Sequence, residues 1–199
     1  TLSKRYIIGL GIIALLLVSP LISVLNTTYT KMRFWLREYD SDDSYDPAYT
    51  FESVNGFLKI AEENDEASTL GKAFIFKTFN TSFLNNSIIS FCYNYSTDAT
   101  YPHKVLVFIS FGEYNTSTIQ NADQDLDVSI LNITATVSDL TEFNSSVLTL
   151  KTSEEKVTLI FEMLDGHSAK YADDILWLDW IKVYKDGELI AEENFDDNV

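Results

Sequence analysis

A chain of 199 residues with 14 Lys plus Arg against 30 Asp plus Glu carries a formal net charge of −16, which argues against a basic phosphate-binding surface and so against nucleic acid as a partner. One Cys and two His exclude an intramolecular disulfide and a zinc site built from nitrogen and sulfur ligands. Hydrophobic residues make up 46% of the chain, with 13 Phe and 11 Tyr, enough to fill the core of a domain of ordinary size.

The first predicted element is a helix. Tyr6 to Leu25, YIIGLGIIALLLVSPLISVL, runs without a charge, and as a helix it is long enough to cross about 30 Å of hydrocarbon. Lys4 and Arg5 precede it, as in a signal peptide or signal anchor. Cleavage before Val24 would place Leu21 and Ser23 at the key positions, where Leu is too bulky, so the segment is expected to be retained. Asn26 to Ser44 reads as a linker, in which Phe34 and Trp35 beside Arg33 and Arg37 mark either a membrane interface or a packed stalk.

Beyond residue 40 the pattern becomes extended. Runs rich in β-branched and aromatic residues occur at 49–60, 71–79, 87–95, 104–112, 126–137, 147–151, 156–164, 175–185 and 188–195, separated by turn-rich segments. With no amphipathic helix between them, these predict a mainly β fold, an antiparallel β-sandwich or jelly-roll head behind the one N-terminal hydrophobic helix. The domain division is 1–37 for helix and stalk and 38–199 for the head. KVLVFISF and KVTLIFEML are apolar on both sides, so both their faces should be covered, one by the sandwich core and one by a loop, a helix or a neighbouring subunit.

Basic residues flank the hydrophobic segment on both sides, so they do not orient it. The glycosylation motif Asn-x-Ser/Thr does. It occurs at Asn26, Asn80, Asn85, Asn94, Asn115, Asn132 and Asn144, seven of thirteen Asn. Chance would give roughly two to three, and the excess predicts an N-glycosylated, extracellular, cell-surface chain after residue 25. Cys92, inside SIISFCYNY, reads as a buried free thiol.

Acidic clusters are the constellations with metal-binding chemistry, since calcium takes six to eight oxygens from carboxylates and carbonyls. Asp40, Asp42, Asp43 and Asp46 form one candidate set, and Asp173, Asp174 and Asp179 another. Asp123, Asp125 and Asp127 alternate in DQDLD but lack the Gly and terminal Glu of a helix-loop-helix calcium loop. No other cofactor is implied. His103 and His167 have no Ser or Cys partner at a recognisable spacing.

ILWLDWIKVYKDGEL, Ile175 to Leu189, resembles the closing strand of carbohydrate-active β-sandwiches, both lectin-like glycosidases and galactose-binding-like carbohydrate-binding modules. The glycosidases of that group carry Glu-x-Asp-x-x-Glu on one strand, and Glu162 and Asp165 in FEMLDG have the wrong spacing and no second Glu, so no catalytic residue is assigned. Aromatic residues would bind sugar, with Trp180, Tyr171 and Tyr114 the candidates. Trp177 and Trp180 differ by three, which on a regular strand puts them on opposite faces, at least one of them in the core.

An uncharged N-terminal helix, a short stalk and a glycosylated β head together resemble archaeal type IV pilins and related filament subunits. That resemblance implies a non-catalytic structural homopolymer whose helices bundle in a filament core or sit in membrane. Lys4, Arg5 and Pro20 depart from the pattern. The other expectation is a membrane-anchored carbohydrate-binding module with glycans as partners.

Overall fold

The computed structural model describes residues 30–31, 36–39, 49–62, 71–97, 104–125, 127–164 and 174–195. The chain divides into two compact units, 1–30 and 31–199, and of the first only Thr30 is described. The predicted helix at 6–25 therefore lies outside the described residues, among which no helix is long and apolar enough to cross a membrane.

Twelve strands, one short α-helix and one 3-10 helix follow in order among the described residues: β1 (Thr30–Lys31), β2 (Leu36–Tyr39), β3 (Tyr49–Val54), β4 (Phe57–Glu62), β5 (Lys72–Asn80), α1 (Thr81–Leu84), β6 (Ser87–Ser96), β7 (Lys104–Phe111), the 3-10 helix (Ile119–Asp125), β8 (Val128–Ile133), β9 (Val137–Asn144), β10 (Lys156–Leu164), β11 (Ile175–Lys185) and β12 (Glu188–Glu193). They form two sheets. The smaller has the order β2-β5-β10-β7-β8, and the larger has seven strands counting β1. In the larger sheet the long β11 is the axis. β6 runs along one side of it, followed by β9; on the other side β4 pairs with Ile175–Leu178 and β12 with Ile181–Lys185, and β3 lies beyond β4. The pairings among β2 to β12 are antiparallel.

Alternation along the strands builds the core. Ala73 and Ile75 of β5, Val105, Val107 and Ile109 of β7, and Val157, Leu159, Phe161 and Met163 of β10 face Ile89, Phe91, Tyr93 and Tyr95 of β6 and Leu176, Leu178, Ile181 and Val183 of β11. The Phe91 and Phe161 rings meet edge to face across the interface, centroids 5.1 Å apart at 79°. This is the expected β-sandwich.

The doubly apolar strands are explained by a second, smaller cluster. Phe74, Phe76, Phe108 and Ile160 point away from the sandwich and are covered by Ile119 and Ala122 of the 3-10 helix, with Tyr114 and Leu106 packed at the margin. The 3-10 helix of the same chain thus covers the middle of the smaller sheet's outer face, a helix being one of the three covers the sequence allowed.

Several strand limits differ from the expectation. The run 49–60 is a hairpin, turned at Asn55-Gly56, where both residues have positive φ (53° and 84°) as a two-residue type I′ turn requires. The run 147–151 is not a strand. It is anchored instead by hydrogen bonds that Leu148 N–H donates to Ser87 and that Asn86 N–H donates to the Leu148 carbonyl, 2.8 and 2.9 Å, and its Leu148 and Leu150 are buried. The run 126–137 is β8 followed by the start of β9, a mostly exposed edge strand whose sequence VSDLTEFN carries no strand pattern.

Candidate functional site

The outer face of the smaller sheet is covered in this way, whereas among the described residues no element packs on the outer face of the larger sheet. Its side chains follow from the parity of β11. Leu176 and Leu178 point inward, as do Ile181 and Val183, although 178 and 181 differ by three. An extra residue has been absorbed between them. Pairing with β6 shifts register between Leu178 and Trp180, leaving Asp179 without an opposed residue on β6, which is a β-bulge.

The bulge overturns the expectation for the two tryptophans. Trp177 and Trp180 are not on opposite sides but both on the outer face, together with Lys182, whose ammonium lies 4.2 Å from the centroid of the Trp180 ring. Neither Trp belongs to the core clusters. Pairing then sets out three rows across the sheet: Glu52, Lys59, Trp177 and Asn94; Trp180, Cys92 and Glu142; and Glu192, Lys182, Ser90 and Asn144.

The first row has a hollow beside it. Val54, Asn55, Phe57, Asn94, Ser138, Asp139, Leu140 and Trp177 line a cleft of about 460 Å³, within the size range of small-ligand sites. The β3–β4 turn forms one wall and β9 the other, where Leu140 is 50% exposed and adds apolar surface to the cleft. Phe57 meets the Trp177 ring edge to face, centroids 6.2 Å apart at 87°, and fixes its plane. Lys59 Nζ stands 5.8 Å from the ring centroid and 3.6 Å from Glu52. The Asn94 amide donates to the Ser138 carbonyl at 2.6 Å. Trp180 has less to offer, since the cation of Lys182, paired at 3.5 Å with Glu192, already sits over its ring.

Cys92 lies in the middle row and is 9% exposed. Burial pushes its thiol pKa up, and the carboxylates of Asp179 and Glu142 push it the same way, so the thiolate that would react or bind metal is disfavoured. Burial also raises the Tyr93 hydroxyl.

The other sequence candidates are dispersed. Tyr114 is on the far side of the molecule, packed against the smaller sheet with its hydroxyl 3.0 Å from Ser110 Oγ, so it is no platform beside Trp180. Tyr171 lies outside the described residues, as do Asp40, Asp42, Asp43, Asp46, Asp165, Asp173, His103, His167 and Asn26. Asp174, 1% exposed, precedes β11 and Asp179 is its bulge, about 16 Å along the strand. Asp127 accepts the Phe111 N–H at 2.5 Å. Among the described residues no group of three or more His, Cys, Asp or Glu side chains converges to hold a metal. Glu162, buried on the outer face of β10 between Phe74 and Leu106, is remote from the cleft.

Sequence reasoning missed Phe57, Leu140 and the siting of Asn94. The Asn-Gly turn was the available signal for Phe57, since it places that residue at the start of a strand paired back toward β3.

No protein-family profile matches the chain, and no curated protein is recognisably similar in sequence. Solved structures match it in fold. A carbohydrate-binding module of the β-sandwich superfamily, described for its promiscuous specificity, superposes with a TM-score of 0.50 at 7% identity over 80% of this chain and 62% of that one. A CBM4 module gives 0.47 at 14% identity over 75% and 84%. The N-terminal cellulose-binding domain of Cellulomonas fimi β-1,4-glucanase C gives 0.43 at 12% identity over 82% and 95%. At these identities the likeness is one of fold.

Proposed function

We propose that the chain is a non-catalytic, cell-surface carbohydrate-binding module, held at the membrane by its hydrophobic segment and presenting the outer face of the larger sheet to glycans. The observation that carries this reading is the Trp177 cleft: an aromatic ring held in plane by Phe57, walled by apolar Leu140 and Val54, with Asn94, Asn55, Ser138 and Asp139 beside it. A pyranose has an apolar face of C–H bonds and a rim of hydroxyls, and this arrangement answers both, the ring by stacking and the polar groups by hydrogen bonding. Lys59 and Lys182 are paired with Glu52 and Glu192, and with Asp139 in the cleft and Glu142 in the middle row the face is net acidic, which disfavours polyanionic sugars. The fold likeness supports the reading at the level of architecture.

Filament assembly rests on the segment 6–25, and no observation among the described residues favours it. The test is affinity electrophoresis of the full chain, made without N-glycosylation and held in a sugar-free zwitterionic detergent, through gels containing soluble β-1,4-glucan, β-1,4-galactan or mannan. One of these should retard it, and Trp177→Ala should weaken the retardation about tenfold or more, as loss of a central aromatic anchor does. Trp180→Ala should cost clearly less. Free migration in every gel would sink the proposal.

A further inference from the structure

The face read as a sugar platform also carries two of the chain's own glycosylation motifs. Asn94-Tyr95-Ser96 lies on β6 and Asn144-Ser145-Ser146 begins at the end of β9. Asn144 is exposed, two rows from the cleft. Asn80 and Asn115 are exposed at the end of β5 and in the loop after β7, and Asn132 is exposed on β8, opposite the outward-facing Leu106 of the smaller sheet. Asn85 caps α1 with its Oδ1 accepting the Leu150 N–H. Asn94 differs from all of these: it is directly opposed to Trp177 in the strand register and lines the same cleft.

We infer that a glycan carried on Asn94 is rooted inside the Trp177 cleft and occupies it, so that the state of this one motif decides whether the face accepts a foreign glycan. The inference rests on the reading of the cleft as a sugar site, and it names that site's first occupant. The amide chemistry allows it. Asn94 has two N–H bonds; one is given to the Ser138 carbonyl. Glycosylation consumes the other: the amide nitrogen attacks the anomeric carbon of a glycosyl diphosphate-lipid donor, the N–C bond forms, the C–O bond to phosphate breaks, and the amide proton leaves to a base as the diphosphate departs. One N–H remains on the nitrogen for the Ser138 carbonyl, so the modified amide can keep its place in the cleft that Trp177 and Leu140 also line, and the first sugar starts there.

The middle residue of the motif sets the timing. Tyr95 is fully buried in the sandwich core, so the folded strand cannot leave the sheet to enter a transferase. Asn94 is modified before β6 packs or not at all. Occupancy is fixed during synthesis, and the molecule emerges either self-capped or open.

The experiment compares the full chain from a glycosylating host with Ser96→Ala, which removes the motif and leaves Asn94, and with Thr134→Ala, which removes the motif at Asn132 on the other sheet. Mass spectrometry gives occupancy at Asn94, and N-bromosuccinimide oxidation followed by peptide mapping reads Trp177 alone. The inference predicts an occupied Asn94, Trp177 oxidised about tenfold more slowly in the parent than in Ser96→Ala, the size of effect one aromatic–sugar contact gives, and no change for Thr134→Ala. A bare Asn94, or equal oxidation with Asn94 occupied, overturns it. Gel retardation of Ser96→Ala by the same three polysaccharides reads the underlying proposal separately: free migration of this open form overturns the binding reading, whatever the oxidation rates.

Discussion

Trp177 and Trp180 have the same chemistry and the same face, and their surroundings separate them. The Trp180 ring is covered by Lys182, whose charge is itself held by Glu192, so a sugar would have to displace a cation already stabilised twice. Trp177 also has a paired lysine, Lys59 with Glu52, but its ammonium stands 5.8 Å from the ring centroid against 4.2 Å for Lys182 over Trp180. The Trp177 ring has a neighbour at its edge and open volume beside it. Nothing in the sequence separates the two rings, because a cation over a ring depends on which residues share a face. Cys92, opposed to Trp180 on β6, was legible from its strand as a buried thiol, and the raised pKa gives that a measurable consequence. Folding favours the protonated thiol, so its contribution to stability is fully present below the thiol's unfolded pKa and is lost as pH rises through the folded one. Tyr93 acts in the same direction at higher pH. Lys77, whose pKa burial lowers, acts oppositely: its contribution is present at alkaline pH and lost as pH falls through its folded pKa. Chemical denaturation between roughly pH 8 and 10 should therefore show a shallower loss of stability in Cys92→Ala than in the parent. Identical slopes would show that the thiol is not shielded.

At the scale of elements, the bulge at Asp179 is the feature on which the face depends. A period of two, applied to ILWLDWIKVYK, gets the first four residues right and the rest inverted, because one uncounted residue flips the parity of everything after it. No local signal in the sequence marks that residue: Asp between Leu and Trp is as compatible with a regular strand as with a bulge. The turns, by contrast, were written in Asn55-Gly56 and Asp186-Gly187, where the residues themselves demand positive φ. β9 was illegible because an edge strand with one weakly buried face has no need of alternating hydrophobicity. Deletion provides the test. Removing Asp179 leaves Ile181 and Val183 inward and both Trp outward, whereas removing Lys182 turns Val183 out of the core. The Asp179 deletion should melt well above the Lys182 deletion, and the reverse order would show that β11 is regular.

For the whole molecule, charge and burial divide the labour. Residues 1–37 carry five basic side chains and no acid, and the remaining residues hold all 30 acids. Within the sandwich, one sheet has its outer face covered by Ile119 and Ala122, and the other, with no described element packed on its outer face, carries two tryptophans, two charge pairs and two glycosylation motifs there. The sandwich itself was readable because strands buried on two sides are dense in β-branched and aromatic residues. The site was not, because it is assembled from four strands, β3, β4, β6 and β11, and the rim of a fifth, β9, whose register only tertiary pairing fixes. The account's central claim is that this open face binds sugar at Trp177. Its most direct measurement is a titration of intrinsic tryptophan fluorescence in the full, unglycosylated chain with whichever of the three polysaccharides retards it, repeated in Trp177→Phe and Trp180→Phe. The account predicts that the saturable ligand-dependent change vanishes in Trp177→Phe and persists in Trp180→Phe; a change of undiminished size in Trp177→Phe would contradict it.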